Sequence, residues 1–239
     1  MFYDPIFPGL LTLPSNHFAF AAANTVSSLP GDLYNPLWLY GPTGTGKTAL
    51  VHAMLQRLQD RNPTAQARYI QAEDLLQSLL NAIRLRALPQ HRTEFSRLDM
   101  LVVDHMNILF DKPFSQIMVG DFLADLVKNG CQVVFCSTRS RQEMRHLTQI
   151  LKHQCECLLH MDILAPSPKE RLTLTRTLAR ELGVPLTGSM ACRIAFAGHS
   201  PSRIRCLLTQ LSAQQHLLGA GTADLSMALD QLLTREAAV

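Results

Sequence analysis

The chain has 239 residues, 47% of them hydrophobic and 17% charged, with a formal net charge of +3. That composition supports a packed core in one large domain, or one domain with a small satellite, and excludes an intrinsically disordered chain. The charge is too mild to argue for nucleic-acid binding, and no apolar run reaches the roughly 18 residues that a spanning helix needs.

Met1-Phe2-Tyr3-Asp4 opens the chain with neither the basic region nor the apolar core of a signal peptide, so a cytoplasmic protein is expected. Residues 1–14 carry Pro5, Pro8 and Pro14, which exclude a regular helix and predict an extended N-terminal arm. Ser15 or Asn16 is a suitable N-cap for a helix over Phe18–Val26, which Pro30-Gly31 ends. Leu37-Trp38-Leu39-Tyr40 then reads as a short buried strand.

Gly41-Pro42-Thr43-Gly44-Thr45-Gly46-Lys47-Thr48 follows and matches G-x-x-x-x-G-K-[ST], the phosphate-binding loop. A triphosphate requires a concave ring of backbone N–H donors, and the small residues let the backbone curl around it. Lys47 supplies a point charge for the β and γ phosphates, and the Thr48 hydroxyl is a Mg²⁺ ligand. The helix predicted after the loop, to about Gln59, directs its positive end at the anion.

Ala67–Ile70 reads as a strand and Ala72–Arg86 as a helix, with Leu75, Leu76, Leu79, Leu80 and Ile83 on one side. Leu88-Pro89 ends that helix, and a short polar helix or loop follows. Met100-Leu101-Val102-Val103 is a continuous apolar run, as in a parallel strand buried on both faces. It ends in Asp104, where a carboxylate can hold Mg²⁺ through water; the alternative is an Asp opening a surface turn. Ile117–Lys128 is a helix stopped by Asn129-Gly130, Gln132–Thr138 a buried strand with a polar end, and Cys157–Ile163 a further strand. Of the six cysteines, Cys131, Cys136, Cys155, Cys157, Cys192 and Cys206, none forms a C-x-x-C pair. Cys155-Glu156-Cys157, with His153 and His160 nearby, is read as strand alternation rather than a zinc site. Beyond Pro166-Ser167-Pro168 only helices are predicted, over about Lys169–Leu182, Ser189–Ala197, Ser202–Leu218 and Ala223–Arg235. The expected fold is α/β, a P-loop parallel sheet flanked by helices over 15–165 and a small all-α lid over 166–239.

The order of phosphate loop, acidic strand end, polar strand end and helical lid resembles AAA+ ATPases. Ser15-Asn16-His17-Phe18-Ala19, Pro30-Gly31 and Tyr34 to Gly41 are similar to the start of the ATPase domain of the bacterial replication initiator DnaA. Tyr69 to Arg84, Asp99 to Asp104 and Gln132 to Arg139 resemble its second strand and helix, its Walker B strand and its sensor 1 strand, so the likeness to the DnaA/Hda group spans about residues 10–235. It implies ATP or ADP with Mg²⁺ as ligands.

The chain also departs from that pattern. The family usually has a second acid after the Walker B Asp, where this chain has His105; a His could orient water only when neutral. The sensor 1 position falls on Thr138, and the arginine-finger position on Gln154, with Lys152 the nearby cation. In the lid, the resemblance assigns the γ-phosphate contact to Arg203, with Arg205 as fallback.

The implied function is a nucleotide-dependent regulator of replication initiation that docks on a partner AAA+ protein, the replication initiator, with weak intrinsic ATPase activity. The alternatives are a DNA-remodelling ATPase of the helicase-loader or transposition type, and a catalytically impaired nucleotide-bound scaffold. Leu10-Leu11-Thr12-Leu13-Pro14 is faintly like a clamp-binding peptide, which would make the replication clamp a further partner; the alternative is an arm packed across the adenine site. No recognition helix can be placed before Val239, and Phe110-Asp111-Lys112-Pro113-Phe114 has a single Lys, so weak or no direct DNA contact is expected. No membrane contact is expected, and the sequence leaves monomer and homo-oligomer open.

Overall fold

The computed structural model describes residues 4, 6–139, 142, 144–154, 158–218 and 222–237. Among these, β1 (Leu37–Tyr40), β2 (Ala67–Gln71), β3 (Met100–Asp104), β4 (Gln132–Ser137) and β5 (Leu159–Asp162) form one sheet in the order β2-β3-β4-β1-β5. Every pairing is parallel; Trp38 of β1 lies opposite Phe135 of β4 and His160 of β5, and Val102 of β3 opposite Tyr69 of β2.

The continuous apolar runs follow from burial on both sheet faces. Trp38, Leu101, Val103, Val133 and Phe135 enter one core cluster, and their strand neighbours Leu37, Leu39, Met100, Val102, Val134 and Cys136 enter the other. The first cluster is closed by α3 (Ala72–Arg84), α4 (Leu88–Phe95) and α5 (Pro113–Lys128), through Leu75, Leu79, Phe95 and Phe122. The second is closed by α1 (His17–Ser28) and α2 (Lys47–Arg61), through Phe20, Val26, Leu50 and Met54. Asn35 stitches the segment before β1 to β4: its amide donates to the Cys131 carbonyl at 2.8 Å and accepts from the Val133 N–H at 2.9 Å.

Three local expectations are corrected. Asn16 sits at the N-cap of α1 but makes no capping bond; its side chain turns back, accepting from the Leu13 N–H at 2.8 Å and donating to the Leu11 carbonyl at 3.0 Å. The segment read as an extended arm is folded instead. Asp4 accepts from the Ile6 and Phe7 N–H groups and from the Thr12 hydroxyl, and Phe7, 1% exposed, meets Phe20 edge-on at 5.8 Å between ring centroids. Leu11 and Leu13, the apolar side chains that the clamp reading needs outside, are buried. The prolines exclude a helix, yet they leave the chain free to turn, and burial of Phe7, Leu11 and Leu13 drives it back onto the domain.

The third correction is α6 (Arg145–Gln154), where the sequence analysis assigns no element. Its apolar stripe is short but at helical spacing: Leu147 and Leu151 are buried and Ile150 half-buried, beside exposed Lys152 and His153. A docking surface on α5 holds it there. A Cβ at Gly120 would come within 3.2 Å of Ile150 and 3.3 Å of Leu147, so the glycine permits a close helix approach at a cost of about 1 kcal/mol in helix propensity. Helix α5 also starts earlier than expected, with Pro113 in its first turn. Cys155-Glu156-Cys157 lies outside the described residues, as does the side chain of Gln154.

By internal contacts the chain divides into two units, Met1–Pro42 with Lys47–Ile163, and Thr43–Gly46 with Leu164–Val239. The first carries the sheet. The second carries α7 (Pro168–Glu181), α8 (Gly188–Ala197), α9 (Pro201–Leu218) and α10 (Thr222–Ala237). A reciprocal capping box starts α7: Ser167 N–H donates to the Glu170 carboxylate at 2.7 Å, and Glu170 N–H to the Ser167 hydroxyl at 3.3 Å. Arg171 fastens α7 to α8 by donating to the Ala195 carbonyl at 2.8 Å. Among the described residues no helix is long and apolar enough to cross a membrane.

Candidate functional site

The glycine-rich loop leaves the carboxyl end of β1 and runs directly into α2, which begins at Lys47. Open parallel sheets bind ligands at such ends. Gly44 and Gly46 have φ of +76° and +103°, which side-chain-bearing residues rarely adopt. The loop is tied to the sheet by the Gly41 N–H, which donates to the Ser137 carbonyl of β4 at 3.2 Å.

Lys47 is 8% exposed, and its ammonium spans the loop, donating to the carbonyls of Gly41 at 2.6 Å and Pro42 at 2.8 Å. Burial lowers its pKa, opposed by the charge of Asp104. Asp104 ends β3 and is 3% exposed. Its Oδ2 accepts from the Thr48 hydroxyl at 2.8 Å and the Tyr69 hydroxyl at 2.8 Å, and its Oδ1 from the His105 N–H at 2.6 Å. The Thr48 hydroxyl and the Asp104 carboxylate are therefore adjacent hard oxygen donors. That set suits Mg²⁺ and offers nothing to a soft metal. Among the described residues no group of three or more His, Cys, Asp or Glu could hold a metal by itself.

His105 begins the exit from β3. Its φ of 56° is left-handed, a region in which His is enriched among residues other than glycine. Its imidazole is 57% exposed, with Nδ1 at 3.6 Å from Asp104 Oδ1. A 3₁₀ turn, Met106–Leu109, follows and presents Asn107. Asn107 Oδ1 accepts from the Ser137 hydroxyl at 3.1 Å and the Thr138 N–H at 2.8 Å, clasping the end of β4. Thr138 lies one residue beyond that strand, and half-buried.

The structure thus gathers Lys47, Thr48 and Asp104 into one corner, with His105 beside it. Inside the second unit, Ser202 donates to the Gly44 carbonyl through its N–H at 3.2 Å and its hydroxyl at 3.1 Å. Arg203 follows in the first turn of α9, its N–H donating to the Ser200 hydroxyl at 3.3 Å, while Arg205 faces Glu181 of α7 at 4.0 Å. Lys152 is exposed on α6.

Sequence reasoning misses Tyr69 and Asn107. Each carried one faint signal: a hydroxyl in a short strand beside the acidic one, and an amide three residues past Asp104. Neither has a recognisable spacing, because both act across strands.

The profile of the bacterial DnaA ATPase domain matches residues 4–162. The chromosomal replication initiator protein DnaA of Lactococcus lactis subsp. cremoris (strain MG1363) is 33% identical over 161 residues, which are 67% of this chain and 36% of that relative. The chain thus spans little more than a third of that relative's length. Among solved structures, domain III of the Thermotoga maritima replication initiation protein DnaA superposes with a TM-score of 0.81 at 24% identity, covering 96% of this chain and 98% of that one. AMPPCP-bound DnaA from Aquifex aeolicus gives 0.78 at 19% identity, covering 97% and 71%. Both likenesses bear on the fold, an AAA+ α/β sheet with a helical lid, and the match over residues 4–162 settles the family: the chain belongs to the bacterial DnaA ATPase domain family.

Proposed function

We propose that the chain binds Mg²⁺ and ATP or ADP and works as a nucleotide-dependent regulator of replication initiation. It docks on the AAA+ domain of a replication initiator and hydrolyses ATP weakly by itself. One observation carries this reading: Lys47, Thr48 and Asp104 come together with the ammonium and the carboxylate buried, while His105 stands where the resemblance expects a second acid. The likeness to a DnaA that binds AMPPCP supports an adenine nucleotide.

In this reading Gly41 to Thr48 cradle the phosphates, with Thr43, Gly44, Thr45 and Gly46 supplying backbone donors, Pro42 fixing the turn without one, and Lys47 adding its charge. Thr48 and Asp104 hold Mg²⁺, which when bound neutralises charge on the transferred phosphoryl group. Thr138 faces the ligand from the end of β4, and Arg203, or else Arg205, is the cation for the γ-phosphate. Catalysis then rests on positioning and charge rather than covalent chemistry. A neutral His105 is a weaker partner for the attacking water than a carboxylate. A cation from the partner protein would compensate for the finger position at Gln154.

The test is nucleotide content and turnover of the purified chain, alone and with the AAA+ domain of a replication initiator. Bound ADP, with turnover that is weak alone and rises in the mixture, supports the regulator. Nucleotide binding with turnover in neither case gives the second reading, a nucleotide-bound scaffold, which His105 favours. Absence of micromolar binding overturns both.

A further inference from the structure

We infer that Tyr69 is a positioning residue for the Mg²⁺-binding carboxylate, its hydroxyl fixing which oxygen of Asp104 remains available to the cation; this rests on the nucleotide reading above. Tyr69 lies on β2 opposite Val102 of β3, two residues before Asp104. A long aromatic side chain reaches such a diagonal neighbour, and the hydroxyl arrives at Oδ2 of Asp104, 2.8 Å away.

Oδ2 is also the acceptor for Thr48, again at 2.8 Å, so its two lone pairs are both engaged. Oδ1 takes one bond from the His105 N–H at 2.6 Å and retains a lone pair. The carboxylate cannot turn about its own axis without breaking bonds from three elements: α2 through Thr48, β2 through Tyr69, and the exit of β3 through His105. Oδ1 is thereby left as the oxygen with spare capacity.

The tyrosine is itself held. His52, one turn beyond Thr48 on α2, stacks on its ring at 4.7 Å and 26°. The helix that begins with the phosphate-loop lysine therefore also fixes the side chain that orients the acid. A tyrosine hydroxyl needs only one acceptor, and a backbone carbonyl would satisfy it. The sharing of Oδ2 with Thr48 ties the bond to the cation site.

The experiment measures ATP affinity of the chain in Mg²⁺ and in EDTA, for wild type, Tyr69→Phe and His52→Gln. The phenyl ring preserves the stacking and removes the hydroxyl alone. Tyr69→Phe is expected to weaken Mg²⁺–ATP binding about tenfold, as befits loss of a hydrogen bond to a charged group, and to change binding in EDTA less than about twofold. His52→Gln, an exposed substitution that spares the Tyr69 hydroxyl, is expected to give the same Mg²⁺-specific weakening at about two- to threefold. In an Asp104→Asn background the Tyr69→Phe effect is expected to vanish, because the hydroxyl then has no carboxylate to orient.

Equal losses in Mg²⁺ and EDTA would reduce Tyr69 to a packing role and overturn the inference. So would unchanged Mg²⁺–ATP affinity in both variants, with a wild type that binds normally; that result leaves the nucleotide reading standing. A wild type whose ATP binding ignores Mg²⁺ overturns the inference and the cation part of that reading, and a wild type that binds no ATP overturns the reading itself.

Discussion

The corner of Lys47, Thr48 and Asp104 and the corner of His105, Asn107 and Thr138 meet at the end of β3, where Asp104 and His105 are consecutive, yet they are built differently. In the first, the ammonium and carboxylate are almost wholly buried and every bond runs to an adjacent backbone or hydroxyl group. In the second, an exposed imidazole stands on left-handed backbone, and the ordered partner is an amide that binds the protein itself. Holding a nucleoside triphosphate and splitting its anhydride bond make separate demands. The first needs fixed charge and donors, and the second an oriented base beside them. In the proposed reading this chain supplies the fixed charge and donors of the first demand, and at the second it offers His105 where the resemblance expects an acid.

The comparison can be broken most directly at Lys47. Lys47→Ala is expected to raise the dissociation constant for ATP by about 100-fold or more, measured by calorimetry, since the cation for the β and γ phosphates is lost. Retention of affinity would mean that the buried corner is not where nucleotide is held.

Asn107→Ala tests whether the second corner is structural. It strips an acceptor from the Ser137 hydroxyl and the Thr138 N–H, and orphaned donors cost about 2 kcal/mol in sum. For a chain of this size that lowers Tm by about 4–8 °C. Asn107→Asp keeps an acceptor oxygen and should lose less. Equal melting of the wild type and the alanine variant would show that the clasp contributes nothing.

His105→Asp sharpens the contrast from the other side. Asp tolerates left-handed backbone and restores an acid beside Asp104. Single-turnover hydrolysis is expected to rise about tenfold, with ATP affinity changed less than about threefold. A rate no higher than wild type would place the defect elsewhere, the finger position being the next candidate.

The smallest effect is remote from both corners. His91 of α4 stacks on Phe95 at 4.7 Å and meets Phe122 at 5.5 Å, with Nε2 at 3.1 Å from the Ser78 hydroxyl. Its Nδ1 is buried without a hydrogen-bond partner. Burial pushes its pKa below the usual histidine value; nearby Glu94 opposes this and Arg68 adds to it. A histidine with a depressed folded pKa resists protonation while the unfolded chain accepts it. Stability is therefore complete above the ordinary value near 6.5 and falls as pH drops from there towards the folded pKa. His91→Gln should flatten the fall in Tm between pH 7.5 and pH 5.5. An unchanged slope would assign the acid sensitivity to other groups.

Legibility followed the range of the interactions. The phosphate loop and its helix are contiguous, so their spacing alone reveals them. The same holds for β3, whose unbroken Met100–Val103 run reports burial on both faces and whose last residue is the acid. Helix α6 is legible too, in the helical spacing of Leu147, Ile150 and Leu151, but only tertiary structure shows that this short stripe seats on α5 at the step that Gly120 provides. The first residues misled because proline content reports what a segment cannot form, and says nothing of where Phe7 is buried.

By itself, then, the sequence determined the strands, the glycine-rich loop with its helix, and Asp104 at its strand end, all of them properties of short contiguous stretches. Tertiary structure alone decided that Tyr69 shares an oxygen with Thr48, that Asn107 clasps β4, and that the N-terminal segment folds back. The physical reason is that hydrogen-bond partners are chosen across strands. A parallel sheet brings together residues about 30 apart in the chain, at distances no local pattern encodes.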